Sequence, residues 1–478
     1  MIPPVVIPLS AEMHPQFVTH RLASLDALCV LESAVQHAHL GRYSYVMADP
    51  WFLSDEYNVQ PSTDPLSPIA KVMKNLPFER QPELPPFQGG FAGVLSYEAG
   101  RAFDRMPSAR HRDFLIPDFS MSFYDVVFAW DHIENRGWLI SQGWPEIKPA
   151  ARATRATARA RQFMNLLEQK VTDLTPQIPP KGDISYRSLE SLSAPSFALA
   201  GHDNIWSNFR REDYLQAVDR VIEYIRAGDI FQANLTQRLL TPQTIPSLQI
   251  WERLRQHNPS PFMAFWQRPK WSLLSASPER FLKIEKQSVE TRPIKGTRRR
   301  QGAEADLFLR DELRESRKDV AENVMIVDLL RNDLSRVCRA GSVNVPALCE
   351  VETYRTVQHL VSVVTGELSE PFDSWDALRA CFPGGSITGA PKVRATEIIA
   401  ELEPTTRGPY TGTLFYMTPD LWCDSSILIR TFIASEGWLQ LGVGGGIVVN
   451  SDPVQEFEET LTKASGMLAA LTRPHSSE

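Results

Sequence analysis

The chain has 478 residues, 50 Lys and Arg against 57 Asp and Glu, a formal charge of −7, and a make-up that is 43% hydrophobic and 22% charged. This balance is that of a globular protein and excludes disorder along the whole chain; without a basic excess, nucleic acid is excluded as the main partner. At roughly 100 to 200 residues per domain, the length allows two to four units or one large intertwined α/β body. The five cysteines, Cys29, Cys338, Cys349, Cys381 and Cys423, are odd in number and contain no CxxC pair, so neither a disulfide framework nor a zinc knuckle is expected. The opening MIPPVVIPLSAEMH has no cationic or apolar leader region, and no run reaches the roughly 18 apolar residues of a membrane span. A soluble protein of the reducing cytoplasm is the expectation.

In chain order, residues 1 to 148 carry short apolar runs punctuated by Pro and Gly, such as Gly89 to Leu95 and Ser122 to Phe128, which read as strands. From Ala150 a cationic helix is expected, followed by a Pro- and Ser-rich linker that completes the stretch 149–206. The catalytic part is assigned to 207–471. It opens with Tyr214, Ala217, Val218, Val221, Ile222 and Ile225 at helical spacing up to Gly228. Strand-like and helical pieces then alternate. The N-terminal region either packs against this body or interleaves with its sheets, and both arrangements suit the pattern.

Two helical segments carry acid pairs three residues apart. Asp319 and Glu322 share one helical face, with Val320, Val324, Val327 and Leu334 expected on the apolar stripe. Glu456 and Glu459 follow an Asp452-Pro453 start, with Phe457, Leu461, Ala464, Leu468 and Leu471 marking the buried side. Four carboxylates from two helices suit Mg2+, a hard cation that takes oxygen ligands; such pairs also occur on solvated faces, and Glu459 with Lys463 makes an ordinary i, i+4 ion pair. The glycine-rich stretches around Ser386 and Thr388 and at Gly444, Gly445 and Gly446 offer backbone N–H groups to an anion, or turns needing positive φ. Lys295, between Ile294 and Gly296, is either a surface charge of the basic run Arg298 to Arg300 or a desolvated lysine able to lose its proton and act as a nucleophile.

Taken together, the segments SPERF, PIKGT, AENVMIVDLLRND, HLVSVVTG, GGSITGAPK, GTLFY, ILIRT, GGGIV and EFEETLTKA resemble the chorismate-utilising enzymes: component I of anthranilate synthase and of aminodeoxychorismate synthase, isochorismate synthase and salicylate synthase. The likeness spans nearly the whole chain. It implies an α/β (α+β) fold, a large intertwined two-sheet sandwich with outer helical layers, and a Mg2+-dependent chorismate site at the centre. By this resemblance Glu322 and Glu459 are the principal metal ligands, with Glu456 and Asp319 close behind; several relatives have glutamate where this chain has Asp319. Arg430, Tyr410, Lys463 and the backbone of Gly444, Gly445 and Gly446 match the holders of the two substrate carboxylates, a task suited to an arginine fork and backbone donors. Ser386 and Thr388 lie beside the ring. His359 matches a histidine near the leaving group, and a buried structural histidine is its other reading.

Two positions separate the family members. Gln232 stands where isochorismate and salicylate synthases carry a water-activating lysine, and a neutral amide is no base. PIKGT, rather than the PIAGT usual in anthranilate synthases, favours aminodeoxychorismate synthase component I, in which Lys295 forms a covalent adduct and Glu279 is the general acid. The product implied is 4-amino-4-deoxychorismate, the precursor of p-aminobenzoate for folate, and ammonia comes from a separate glutamine amidotransferase subunit. Leu31, Glu32 and Ser33 with Pro261 and Phe262 resemble the tryptophan pocket of anthranilate synthases and suggest a bound tryptophan. Anthranilate synthase component I is the competing assignment, and a non-catalytic ligand-binding or scaffold subunit is a more distant one.

Overall fold

The computed structural model of the chain describes residues 2–34, 40–169, 187–354 and 357–472. Every strand pair is antiparallel, and the strands gather into a 13-stranded and a 10-stranded sheet. Of the two arrangements open to the N-terminal region, the strands interleave. Cys29–Glu32 pairs with Phe262–Gln267 in the larger sheet, while Gly90–Leu95 pairs with Thr413–Met417 in the smaller. Chain segments more than 200 positions apart thus share ladders, which ties the N-terminal region to the site through backbone hydrogen bonds.

Side-chain alternation along the strands makes both faces of each sheet apolar, so each sheet is covered twice. Between the sheets lies a core of Leu31, Tyr45 and Ala264 from one and Ala92, Val94 and Leu414 from the other. On the outer face of the larger sheet, Pro15–Leu22, Pro149–Glu168, Ser247–His257 and Pro453–Thr472 contribute to a second core. Outside the smaller sheet, Arg317–Ser335 and Ser374–Cys381 supply Ile326, Leu330, Trp375 and Leu378 to a third. This is the two-sheet sandwich with outer helices expected from the sequence.

The cationic helix forms over Pro149–Glu168, its Arg159 bridging Asp125 and Asp49; part of the expected linker, 170–186, lies outside the described residues. The helix Arg211–Arg226 stops just before Gly228, which takes φ +83° as its C-terminal position requires. Pro453–Thr472 begins behind Asp452, whose carboxylate accepts the Gln455 N–H at 2.9 Å. One expectation fails. The buried face of Arg317–Ser335 includes Val327 and Leu334 as expected but runs through Asn323, Ile326 and Leu330, while Val324 is exposed. The reason is Asn323, a polar residue buried because it donates to the Leu360 carbonyl at 3.3 Å, which turns the helix so that Glu322 faces the cleft. All five cysteines are free thiols, and among the described residues no helix is long and apolar enough to cross a membrane.

Candidate active site

Lys295 sits on the strand Ile294–Arg299, not in an exposed turn. Its ladder with Val357–Glu367 slips between Lys295 and Thr297, which pair with Leu360 and His359. The inserted residue is Gly296 at φ +71°, where a Cβ would lie 2.9 Å from Asp319 Cγ. Only glycine fits this bulge, and bulges beside active sites re-aim the flanking side chain. Lys295 Nζ donates to Glu322 Oε1 at 2.7 Å and to the Ser386 carbonyl at 3.2 Å. Burial opposes its charge, yet the Glu322 carboxylate outweighs burial and holds the ammonium above its usual range. Of the two readings open to Lys295, the surface charge is set aside: the side chain is largely buried, and Glu322 beside it favours the charged form.

Glu279 lies between two strands, its backbone N–H held by Ser277 Oγ at 3.2 Å. Burial pushes its carboxyl up to about 7 against the opposing effects of the Ser386 hydroxyl and the Lys295 charge. A carboxylic acid that still carries its proton near neutrality is what general acid catalysis needs.

Three of the four metal-candidate acids approach one glycine run, while Asp319 lies against Gly296. A Cβ on Gly446 would lie 2.5 Å from Glu322 Oε1 and overlap the Gln232 amide, and one on Gly445 would lie 3.2 Å from Glu456 Oε2 and 3.7 Å from Glu459 Oε1. Each acid is already matched by a cation: Glu322 by Lys295, Glu459 by Lys463 at 2.8 Å, Glu456 by Lys318 at 3.1 Å, and Asp319 by Arg298 at 3.5 Å. Gln232 Nε2 adds a hydrogen bond to Glu322 Oε1 at 3.0 Å. Among the described residues these acids do not converge into a ready-made metal cage. The donor set nonetheless fits Mg2+, which is usually held by one or two carboxylates with waters and substrate oxygens.

Of the remaining sequence-predicted residues, the glycine run and Lys463 lie directly beside these acids. Gly444, Gly445 and Gly446 lie within Trp438–Ile447 and pair with Thr236, Leu235 and Asn234 on one side; on the other, the ladder ends at Leu441 with Phe432, so among the described residues the glycine run has no strand neighbour there. Lys463 Nζ reaches the Gly444 carbonyl at 2.8 Å. Its pair with Glu459 is roughly half exposed (43% and 44%) and holds by only about 0.3–0.5 kcal/mol, so it exchanges readily for a ligand. Arg430, at φ +50°, has no carboxylate partner among the described residues; left-handed backbone at a non-glycine residue is a strain that gathers at functional sites. Tyr410 is buried. His359, buried and near Arg430, is pushed down to about 3 and so is a neutral imidazole, bonded to Thr297 Oγ1 at 2.8 Å. Thr388 is fully buried, its hydroxyl donating to the Gly384 carbonyl at 3.0 Å, whereas Ser386 reaches Glu279 and Lys295. Leu31, Glu32, Pro261 and Phe262 line a separate cavity of about 390 Å3, and Ser33 flanks it with its N–H on Ser44 Oγ at 3.3 Å.

The sequence reading missed Lys318. A signal existed: a lysine in the first turn of Arg317–Ser335 opposes the helix dipole and calls for an acid from elsewhere, here Glu456.

A two-sheet sandwich with acids and lysines interleaved around a glycine run defines a class of ligand-binding enzyme, and comparison with known proteins specifies it. The model of the chorismate binding enzyme family matches residues 36–469, and the chain belongs to that family. Anthranilate synthase component 1 of Thermus thermophilus is 40% identical over 83% of this chain and 80% of its own length. Aminodeoxychorismate synthase component 1 of Salmonella typhimurium is 38% identical over 85% and 82%. The crystal structure of anthranilate synthase component I from Streptococcus pneumoniae TIGR4 superposes with a TM-score of 0.72 at 27% identity, covering 91% of this chain and 93% of that one.

Proposed function

We propose that the chain aminates chorismate to 4-amino-4-deoxychorismate, using ammonia from a separate glutamine amidotransferase subunit, in the cytoplasm and for p-aminobenzoate and folate. The observation that carries this reading is Lys295 Nζ, re-aimed by the Gly296 bulge into a cleft beside the buried Glu279, whose carboxyl burial pushes up to about 7. The name "component 1" printed for relatives supports a partner chain.

In this mechanism Glu322 and Glu459, backed by Glu456 and Asp319, would hold Mg2+, which supplies positive charge against a substrate carboxylate. Arg430, Tyr410, Lys463 and the free edge of Gly444 to Gly446 orient the two carboxylates, and Ser386, Thr388 and His359 border the ring. Lys295 passes its proton to a neighbouring carboxylate and its amine bonds to the far allylic carbon. The double bond shifts, the C–O bond breaks, and the hydroxyl leaves as water with the Glu279 proton. Ammonia then bonds to the carbon that bore the hydroxyl, the double bond shifts back, and the C–N bond to Lys295 breaks. The released proton returns to Glu279, and the freed Lys295 amine takes back the proton it gave to the neighbouring carboxylate. The adduct divides one hard substitution into two.

Anthranilate formation is the second reading, favoured by the 40% identity to the Thermus enzyme; under it Lys295 is dispensable. The test is incubation of the purified chain with chorismate, Mg2+ and ammonium salt. Chorismate loss without pyruvate, with hydroxyl replaced by amine in the product mass, supports the proposal. Pyruvate in step with anthranilate replaces it by the second reading, and no turnover at all favours a scaffold. Tryptophan is proposed as occupant of the 390 Å3 cavity, which lies within the usual 300–1,000 Å3 of ligand sites and carries Tyr45, Tyr416 and Trp422 on its wall.

A further inference from the structure

Arg407 is buried, its side chain 2% exposed, and touches none of the acids of the cleft. All five of its N–H donors are nonetheless used, and on three different segments of the site. Nη2 donates to the Asn234 carbonyl at 2.6 Å, Nη1 to the Ile387 carbonyl at 3.0 Å and to Thr411 Oγ1 at 3.3 Å. Nε and the second Nη2 hydrogen go to Glu403 at 2.9 and 2.6 Å. Glu403 in turn accepts the N–H and the hydroxyl of Thr236, both at 2.9 Å. A fork with fixed geometry on three carbonyl or hydroxyl oxygens sets distances among the segments that carry them, which a flexible ammonium does not.

Each tethered segment ends in a residue of the cleft. Asn234 and Thr236 are the ladder partners of Gly446 and Gly444, Ile387 lies between Ser386 and Thr388, and Thr411 follows Tyr410. The backbone at Arg407 is itself fixed from the N-terminal region: the buried Glu98 carboxylate accepts the Arg407 N–H at 2.7 Å and the Gly408 N–H at 3.0 Å, and the Arg407 guanidinium stacks 4.5 Å over the Tyr97 ring. We infer that Arg407, locked by Glu98 and Glu403, is a positioning residue that sets Tyr410, Ser386 and the glycine run at the spacing the substrate requires. The inference rests on the proposed chorismate site.

The test compares Arg407→Lys with Arg268→Lys. Arg268 is an equally buried arginine, bonded to Asp55 at 2.6 Å and Ser122 at 2.8 Å away from the cleft, so its variant reports the loss of a buried fork as such. Glu98→Gln, which keeps shape and removes one acceptor, is the milder variant should Arg407→Lys not fold. Kinetics with chorismate are normalised to folded protein, and amide hydrogen exchange is read in parallel. Arg407→Lys is expected to lower kcat/KM on the order of 100-fold, the scale of a 1 Å misplacement, with KM rising because carboxylate holders move. Glu98→Gln shifts KM in the same direction by less, and Arg268→Lys leaves both constants within about twofold. Exchange is expected to rise together in 232–236, 385–388 and 408–412 for the Arg407 variant alone. Unchanged kinetics in Arg407→Lys and Glu98→Gln, or exchange confined to 403–408, overturns the positioning role. A wild-type chain that never consumes chorismate overturns the proposed reaction instead, and the exchange pattern then decides the positioning role independently.

Discussion

The cleft at Lys295 and the cavity at Tyr416 are both lined with charge, yet they manage it differently. In the cleft, Glu322, Glu459 and Glu456 are each met by a lysine, and only Asp319 by an arginine, at the longer distance of 3.5 Å. In the cavity, Glu32 is clasped by Arg255 at 2.7 Å and Asp424 by Arg280 at 3.0 Å. A lysine ammonium is a point charge on a flexible stem and can leave one acid for another group, whereas an arginine fork fixes its carboxylate. The cleft is therefore built to exchange its ion pairs when a ligand arrives, and the cavity to keep a fixed shape. The two are joined through the chain itself, since Glu279 of the cleft precedes Arg280 of the cavity and both sit at the start of the strand Arg280–Glu285.

The largest expected effect breaks the exchangeable side. Lys295→Ala removes the nucleophile of the proposed adduct, and product formation is expected to fall at least on the order of 1,000-fold, the scale seen when one member of a covalent catalytic unit is deleted; initial rates with ammonium salt check this. The variant also leaves Glu322 without its buried cation, a loss of about 3–5 kcal/mol, and Mg2+ is expected to raise its Tm more than that of the wild type because the metal no longer competes with Nζ. Equal Mg2+ shifts in the two proteins would remove Glu322 as a ligand.

Next comes Glu279→Gln, expected to lower kcat by about 100- to 10,000-fold, the range of general acid catalysis. In the wild type, the carboxyl is raised from 4.5 to about 7, so kcat/KM is expected to fall above pH 7 as the proton is lost. Stability moves the same way: the folded chain holds this proton more tightly than the unfolded one, and its contribution, full below pH 4.5, disappears as pH rises through 7. Glu98 is raised to about 7 as well, by burial and by Asp118. Urea midpoints between pH 5 and 8 should thus flatten partly in Glu279→Gln and partly in Glu98→Gln, while only the first variant loses the fall of the rate profile above pH 7.

A smaller effect is expected from Gly446→Ala. The added methyl would overlap the Gln232 amide and Glu322, and overpacking of this kind costs about 1–3 kcal/mol. Thermal unfolding reads that loss, and the displaced Glu322 should appear as a higher Mg2+ requirement in the assay.

These residues also show how far the sequence was legible. The glycine run, the paired acids and the SPERF and PIKGT stretches could be read because local chemistry marks them, and the sandwich followed from their resemblance. The state of Lys295 could not, because it depends on Glu322, on another element, reaching Nζ at 2.7 Å. The buried face of Arg317–Ser335 was partly misread for a related reason: Asn323 is polar, and only its tertiary partners Leu360 and Ser362 make burial favourable. Arg407 was invisible altogether, since two of its acceptors are the distant backbone carbonyls of Asn234 and Ile387, which no side-chain pattern encodes.

The smallest expected effect tests the rigid side. If the cavity takes tryptophan, ligand at about 100 times its Kd stabilises the chain by about 2.7 kcal/mol. With roughly 2.1 cal/mol/K of unfolding entropy per residue, a chain of 478 residues gains about 1 kcal/mol/K in total, so Tm should rise by about 3 °C. Ala264 is buried on the cavity wall, and Ala264→Leu is expected to fill part of the space, abolish the shift and leave the ligand-free Tm near that of the wild type. A shift that survives in Ala264→Leu would move tryptophan to another site. A shift lost together with chorismate turnover would show that the cavity wall, through Arg280 and the adjoining Glu279, is mechanically part of the cleft.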